Sequence, residues 1–405
     1  MLEQHGDSVQ AKQDSVDARC MPQRAGRFDS AVTGFGPLRV AVFLPTLGGG
    51  GAERVMLNLA EAFDSQGVVV DVVVAERIGE LREAVPRSLT IVDLRAGRVS
   101  RSIFPLAKYL RTTRPDMLIA SLGHANLAAV AARWWARSRT RIVVSEHLAV
   151  DLRATGVVDA AFRTLARWFY PRANAVVAVS DGVADTFSRA TGLTREHIQV
   201  VYNPVLTPAY WHRVADECAH RWFAAGQRPV VLGVGRLNPQ KDFVTLIRAF
   251  ARARARAPAR LLILGEGPER EALEREVANH GLRLDEDVAL PGFVADPYPF
   301  MASAGVFVLS SVREGLPTVL IEALASGTPV VSTDCESGPN EILAGGRYGT
   351  LVPVGDVDAL SDAIVATLAG PRGRLPEAAW RAYTPEAATK GYLRAAGLES
   401  GDRSS

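Results

Sequence analysis

Short apolar, β-branched segments recur along this chain at intervals long enough to hold a crossover helix, and they do so in two successive series. The first runs through LRVAVFLP (residues 38–45), GVVVDVVVAE, LTIVDL, DMLIASL, RIVVSEH and NAVVAVS. The second runs through RPVVLGVG (residues 228–235), RLLILGEGP, VALPGF, GVFVLSS and TPVVSTD. Near-continuous apolar strands of this kind belong to parallel sheets covered on both faces by helices. A chain of 405 residues also exceeds what one core usually organises. The expected fold class is therefore α/β, with two doubly wound domains of similar size.

The pattern breaks at YNPVLTP (residues 202–208), where two prolines and a turn-forming asparagine interrupt it. This sets expected domains at residues 37–205 and 206–370, short C-terminal helices at 371–398 that return to the first domain, and a disordered tail at 399–405. Residues 1–36 carry Glu3, Asp7, Asp14 and Asp17 before any apolar stretch, so a disordered tail is expected there rather than a secretory leader. No apolar run approaches the roughly 18 residues needed to span a bilayer. Cys20, Cys218 and Cys335 are far apart, with neither CxxC nor Cys/His spacing, which indicates no disulfide framework or structural zinc site and fits a reducing cytoplasm.

Residues 37–205 hold 21 Lys and Arg against 15 Asp and Glu, a net +6, while residues 206–370 hold 15 against 20, a net −5. The split points to an anionic surface or substrate met by the first half.

After the first strand comes TLGGGGAERVMLNLA (residues 46–60). A dinucleotide fingerprint, G-x-G-x-x-G, needs a third glycine where this chain has Glu53 or Arg54, so the fingerprint fails. Glu76 does end the second strand, as a ribose-binding acid would, and keeps a nicotinamide-dependent oxidoreductase open as an alternative. What the glycines supply in either case, Gly50 and Gly51 above all, is exposed backbone at a helix start, suited to anions or sugar hydroxyls.

The second series carries more chemistry. In VGRLNPQKDF, Arg236 and Lys241 flank a tight loop at the C-terminal end of a strand, where two converging cations suit a diphosphate. The helix that follows has Asp242 as its expected N-cap. In REGLPTVLIEALASG, Glu314 and Glu322 are eight residues apart. Eight steps of about 100° leave two side chains about 80° out of line, so Glu314 is expected in the loop before the helix and Glu322 within it. Gly315, Leu316 and Pro317 then form a bare helix start for phosphate, and Glu322 can accept hydrogen bonds from ribose hydroxyls.

Taken in order, LGGGGAERVMLNLA, VVAVSDGV, VVYNPV, GVGRLNPQKDFVTLIRAF, LLILGEGPERE, LPGFV and REGLPTVLIEALASGTPVVSTDCESGPNEIL make the chain resemble the family 4 retaining glycosyltransferases of GT-B fold, from residue 38 to about 393. The resemblance implies two Rossmann-like domains facing each other across a cleft. It implies that Arg236 and Lys241 neutralise the diphosphate of a nucleotide-sugar donor, that Glu314 contacts the transferred sugar and that Glu322 holds the ribose. Gly267 and the Gly315–Thr318 turn (Gly315, Leu316, Pro317, Thr318) would complete the donor site, with backbone near Gly292, Phe293 and Val294 flanking the base. Gly50 and Gly51 would close over the donor from the acceptor side.

Family members also carry a histidine near the sugar, and VVSEHLAV offers His147 while SLGHANLAA offers His124. Glu146 could orient His147 or, with Glu53 and His124, bind acceptor. The resemblance implies no cofactor and no metal, since fixed cations supply the charge. Between residues 95 and 114, six Lys and Arg and no acid are interleaved with Ile103, Phe104, Leu106, Tyr109 and Leu110. Such a segment can lie on anionic lipid, or one face can simply pack on the sheet. ARWWARSRTR and RTLARWFYPR add basic, aromatic patches. No nucleic-acid motif accompanies the charge. The GGGGAERVM loop resembles enzymes that extend polyprenyl-diphosphate-linked or lipopolysaccharide glycans. The expected function is transfer of a sugar from a UDP-sugar, or a GDP-sugar, to such an acceptor by a cytoplasmic enzyme peripheral on the inner face of the membrane. A non-catalytic nucleotide-sugar-binding module is the other alternative.

Overall fold

The computed structural model describes residues 38–48, 50–83, 85–148, 156–373 and 375–399. The tail expected at 1–36, all but the first residue of that at 399–405, and Gly49 lie outside these residues. Seven strands form the first sheet: β1 (Arg39–Leu44), β2 (Val69–Val74), β3 (Thr90–Asp93), β4 (Met117–Ser121), β5 (Arg141–Glu146), β6 (Ala175–Ala178) and β7 (Ile198–Val200). Six form the second: β8 (Val230–Val234), β9 (Arg260–Leu264), β10 (Val288–Gly292), β11 (Val306–Leu309), β12 (Val330–Thr333) and β13 (Thr350–Val352). The orders are β3-β2-β1-β4-β5-β6-β7 and β10-β9-β8-β11-β12-β13, and every strand pair is parallel. The fold is α/β with two doubly wound domains. Each sheet reverses direction of winding at its centre, between β1 and β4 and between β8 and β11, the place where such sheets bind ligands.

Both faces of each sheet are covered, which is why the strands read as unbroken apolar runs: Val40 to Leu44 and Val72 to Val74 are all buried. Several helix starts follow from their capping residues. Asp242 Oδ1 accepts from Thr245 N at 3.2 Å and starts the helix Phe243–Arg254. Thr207 and Thr384 cap helices whose first residues are Pro208 and Pro385, where a missing N–H costs nothing. β7 and β13 escaped the sequence reading because three residues at a sheet edge carry no periodic signal.

The helix Pro385–Ala395 lies on the first sheet although it follows the second in the chain. Tyr392 and Leu393 are buried with Val40, Met56 and Phe63 in one core cluster. Gln66 Nε2 donates to Thr389 Oγ1 at 2.9 Å across 323 residues of sequence, and Arg141 Nη1 donates to the Ala396 carbonyl at 2.7 Å.

Candidate active site

The loop after β8 and the loop after β11 meet over the C-terminal edge of the second sheet. Lys241 Nζ donates to Glu314 Oε1 at 2.6 Å, and Ser311 Oγ donates to the same oxygen at 2.6 Å. Ser310 Oγ holds the Lys241 carbonyl at 2.8 Å, and Asn238 Oδ1 accepts from Lys241 N at 3.2 Å, so the cation sits on a fixed backbone. Arg236, in contrast, is exposed and its guanidinium has no hydrogen-bond or ion-pair partner among the described residues. Gly267 lets the loop after β9 press on this one, since a Cβ there would stand 2.2 Å from the Leu237 carbonyl oxygen.

Glu314 lies in the loop before the helix Thr318–Ala325, which begins after Pro317 with no side-chain cap, and Glu322 lies within the helix. That leaves the first helical N–H groups open to a ligand. Burial pushes the Glu322 carboxyl up to about 7, and the positive charge of Arg54, from the first domain, acts in the opposite direction. Val294 is partly buried beside an exposed Phe293.

The first domain reaches this site through backbone and side chains. A Cβ on Gly315 would stand 2.4 Å from the His147 carbonyl oxygen. Ser180 Oγ and Ser337 Oγ each donate to the Gly315 carbonyl at 2.9 Å. The Glu341 carboxylate accepts from Asp181 N at 3.0 Å, at the start of the helix Asp181–Thr191, and from Tyr202 Oη at 2.6 Å. These four residues, Ser180, Ser337, Glu341 and Tyr202, join the domains beside the site. Their motifs are visible in the sequence, but nothing there pairs residues about 140 to 160 positions apart.

Burial lowers the His147 pKa to about 4, so the ring is neutral. Its Nε2 lies 3.1 Å from Ser145 Oγ. Glu146 does not orient it, which corrects the sequence reading. Side chains alternate along a strand, so Glu146 points to the opposite face of β5. There Asn126 Nδ2 donates to Glu146 Oε1 at 2.9 Å and Tyr170 Oη donates to the same oxygen, while burial pushes the carboxyl up to about 7. Alternation along RIVVSEH would have turned Glu146 away from Ser145, but not shown Asn126 and Tyr170 as its partners. Glu146 is 8% exposed, and its carboxyl is held by these two side chains.

His124 is exposed in the first turn of the helix Gly123–Ala136, after Leu122, whose φ of 76° is in the left-handed region. Glu53 folds back on the glycine loop: a Cβ at Gly50 would stand 2.3 Å from Glu53 Oε2. The start of the helix Gly51–Ser65 thus already faces a carboxylate of its own chain, which opposes a pyrophosphate in the dinucleotide manner.

Residues 49–207 match the family described as Glycosyltransferase Family 4, and residues 228–370 match Glycosyl transferases group 1. The chain belongs to these glycosyltransferases. This enzyme is 28% identical over 331 residues, 80% of its own length and 88% of the relative's, to the N-acetylgalactosamine-N,N'-diacetylbacillosaminyl-diphospho-undecaprenol 4-alpha-N-acetylgalactosaminyltransferase of Campylobacter jejuni. It is 29% identical over 362 residues to the lipopolysaccharide core biosynthesis glycosyltransferase LpsE of Rhizobium meliloti, covering 85% of this chain and 95% of that one. The fold matches that of Anabaena HepE solved with UDP and glucose, at a TM-score of 0.69 and 20% identity, over 88% of this chain and 98% of that one. The glycosyltransferase therefore has the GT-B arrangement of two Rossmann-like domains across a cleft.

Proposed function

We propose that the enzyme moves a sugar from a nucleotide diphosphate sugar, a UDP-sugar before a GDP-sugar, to a glycan or polyprenyl-diphosphate-linked glycan in cell-surface polysaccharide or glycoconjugate assembly, with retention at the anomeric carbon. The observation that carries this is Arg236, unpaired among the described residues, two residues past the end of β8 in the loop that also carries Lys241, whose ammonium is fixed to Glu314 before a bare helix start. The diphosphate would lie among Arg236, Lys241 and the turn from Gly315 to Thr318, with Gly267 closing the loop behind it. Glu322 would take the ribose hydroxyls, and the backbone from Gly292 to Val294 would flank the base. Gly50 and Gly51 would approach from the acceptor side, where Glu53 and His124 would meet the incoming hydroxyl.

Breaking the sugar–phosphate bond builds positive charge on the anomeric carbon and negative charge on the leaving phosphate. Preplaced cations and helical N–H groups stabilise the latter as it forms. The leaving phosphate would then take the acceptor hydroxyl's proton on the same face of the sugar, so neither a carboxylate nucleophile nor a metal enters any step. Glu314 and His147 would contact the sugar, the carboxylate steadied by Lys241 and Ser311. The names of the relatives from Campylobacter jejuni and Rhizobium meliloti, and the UDP complex of the Anabaena protein, support this choice of acceptor and donor.

The same reading places the enzyme in the cytoplasm, peripheral on the inner face of the membrane that holds the acceptor. Phe104, Trp134, Trp135 and Trp168 are each more than half exposed, and Phe104 and Trp135 pack edge to face at 5.0 Å. Arg133, Arg137 and Arg172 line a pocket of about 690 Å³ together with Trp134 and Trp135. Indole rings at a surface with arginines around them suit an anionic headgroup layer. No helix among the described residues is long and apolar enough to cross a membrane.

A thermal-shift panel of UDP-, GDP- and ADP-sugars, followed by nucleoside diphosphate release with a lipid-linked acceptor, tests the reading. Stabilisation and turnover with a UDP- or GDP-sugar, with the product's anomeric configuration retained, are the expected result. No stabilisation and no turnover would overturn it.

A further inference from the structure

His147 is joined through two hydroxyls to the helix Pro385–Ala395. Ser145 Oγ lies 3.1 Å from His147 Nε2 and 2.9 Å from Tyr392 Oη. All three residues are buried, so bulk water does not compete for these bonds. Neither His147 Nδ1 nor any further atom of the Tyr392 hydroxyl has another hydrogen-bond partner among the described residues. A phenol is a stronger proton donor than an aliphatic hydroxyl. The chain therefore runs from Tyr392 O–H to Ser145 Oγ and from Ser145 O–H to His147 Nε2, which leaves the proton of the neutral ring on Nδ1. Tyr392 is itself fixed, because its helix is tied to the first domain by Gln66 and Thr389 and by Arg141 and Ala396.

We infer that Ser145 and Tyr392 are positioning residues that hold His147 as its Nδ1–H tautomer, so that this N–H is presented as a hydrogen-bond donor to an oxygen of the transferred sugar. The functional half of this inference rests on the glycosyl-transfer reading; the tautomer does not.

Full-length protein labelled with nitrogen-15 histidine gives the tautomer directly from multiple-bond proton–nitrogen correlation at neutral pH, with the His147 signals assigned by their absence in His147→Asn. The expected result is a protonated Nδ1 in the wild type and in Ser145→Thr, which keeps the hydroxyl. In Tyr392→Phe and Ser145→Ala, population moves to the Nε2–H form. In turnover assays the same two variants are expected to lose about tenfold in kcat with donor KM held within about twofold. An Nε2–H ring in the wild type, or a tautomer unmoved in both Tyr392→Phe and Ser145→Ala, would overturn the inference. Absence of any turnover would count against the glycosyl-transfer reading and would leave the tautomer result standing.

Discussion

Lys241 Nζ and Glu314 Oε1 are 2.6 Å apart with both side chains largely buried, so the cation that would meet the donor's phosphates is held by the carboxylate that would meet its sugar. Each is the other's neutraliser, and removing one strands the other. Lys241→Met should lower stability by on the order of 3 kcal/mol in chemical denaturation. Glu314→Gln keeps a hydrogen-bond acceptor for Lys241 and should cost less stability while reducing turnover by about a hundredfold. If Lys241→Met is no less stable than wild type, the pair is not the local anchor described above.

Arg236 should behave in the opposite way. With no partner to strand among the described residues, Arg236→Ala is expected to leave stability within about 0.5 kcal/mol of wild type. Calorimetric affinity for the nucleoside diphosphate should fall by about 1.5–3 kcal/mol, the range of a charge-assisted hydrogen bond. A large loss of stability with unchanged affinity would mean that Arg236 is structural.

The Glu322 carboxyl, pushed up to about 7 by burial from an ordinary 4.5, keeps its proton in the folded protein over a range where the unfolded chain has released it. Stability from this group therefore falls as pH rises from about 4.5 to about 7 and is constant above that. The Tm of Glu322→Gln relative to wild type should rise across that window. If the ionised form is what accepts the ribose hydroxyls, donor affinity should increase between about pH 6 and pH 8 in the wild type and be flat in Glu322→Gln.

Gly315 tests the closed arrangement of the domains. A methyl group there would meet the His147 carbonyl at 2.4 Å and force the backbones apart. Gly315→Ala should cut turnover by about a hundredfold through misplaced reacting groups. Solution scattering should register a more open particle. Nearly normal turnover would place the working conformation elsewhere than in this closure.

For the membrane surface, Trp134→Ala combined with Trp168→Ala should reduce sedimentation with vesicles containing anionic lipid, while soluble-donor hydrolysis is unaffected. Binding that is unchanged, or equal on zwitterionic vesicles, would remove this face from consideration.

The two sheets were legible because residues such as those of RIVVSEH and GVFVLSS must be apolar on both sides to lie between helix layers. The cations and carboxylates of the second domain were legible because Arg236, Lys241, Glu314 and Glu322 each fall within a few residues of a strand end or a helix start. The interdomain contacts were not. Ser180, Ser337 and Glu341 are small or polar residues that any turn could carry, and their meaning comes only from contacts between the domains, Ser180 with Gly315 and Ser337, and Glu341 with Asp181. The burial of Glu146 was hidden for a related reason: Asn126 and Tyr170, which satisfy it, come from two different helical segments. Glu53 hid in plain view, since a first-turn acid ordinarily reads as favourable to the helix dipole rather than as an occupant of the glycine loop.

The helix Pro385–Ala395 also fixes an order of events during synthesis. The sheet built from residues 39–200 is translated first, yet Tyr392 and Leu393 belong to its core. On the ribosome, that domain must wait with an open apolar seam until the entire second domain has emerged. A fragment ending near residue 205 would keep the seam for good, and grafting residues 383–398 onto it should be what turns an aggregating half into a soluble one.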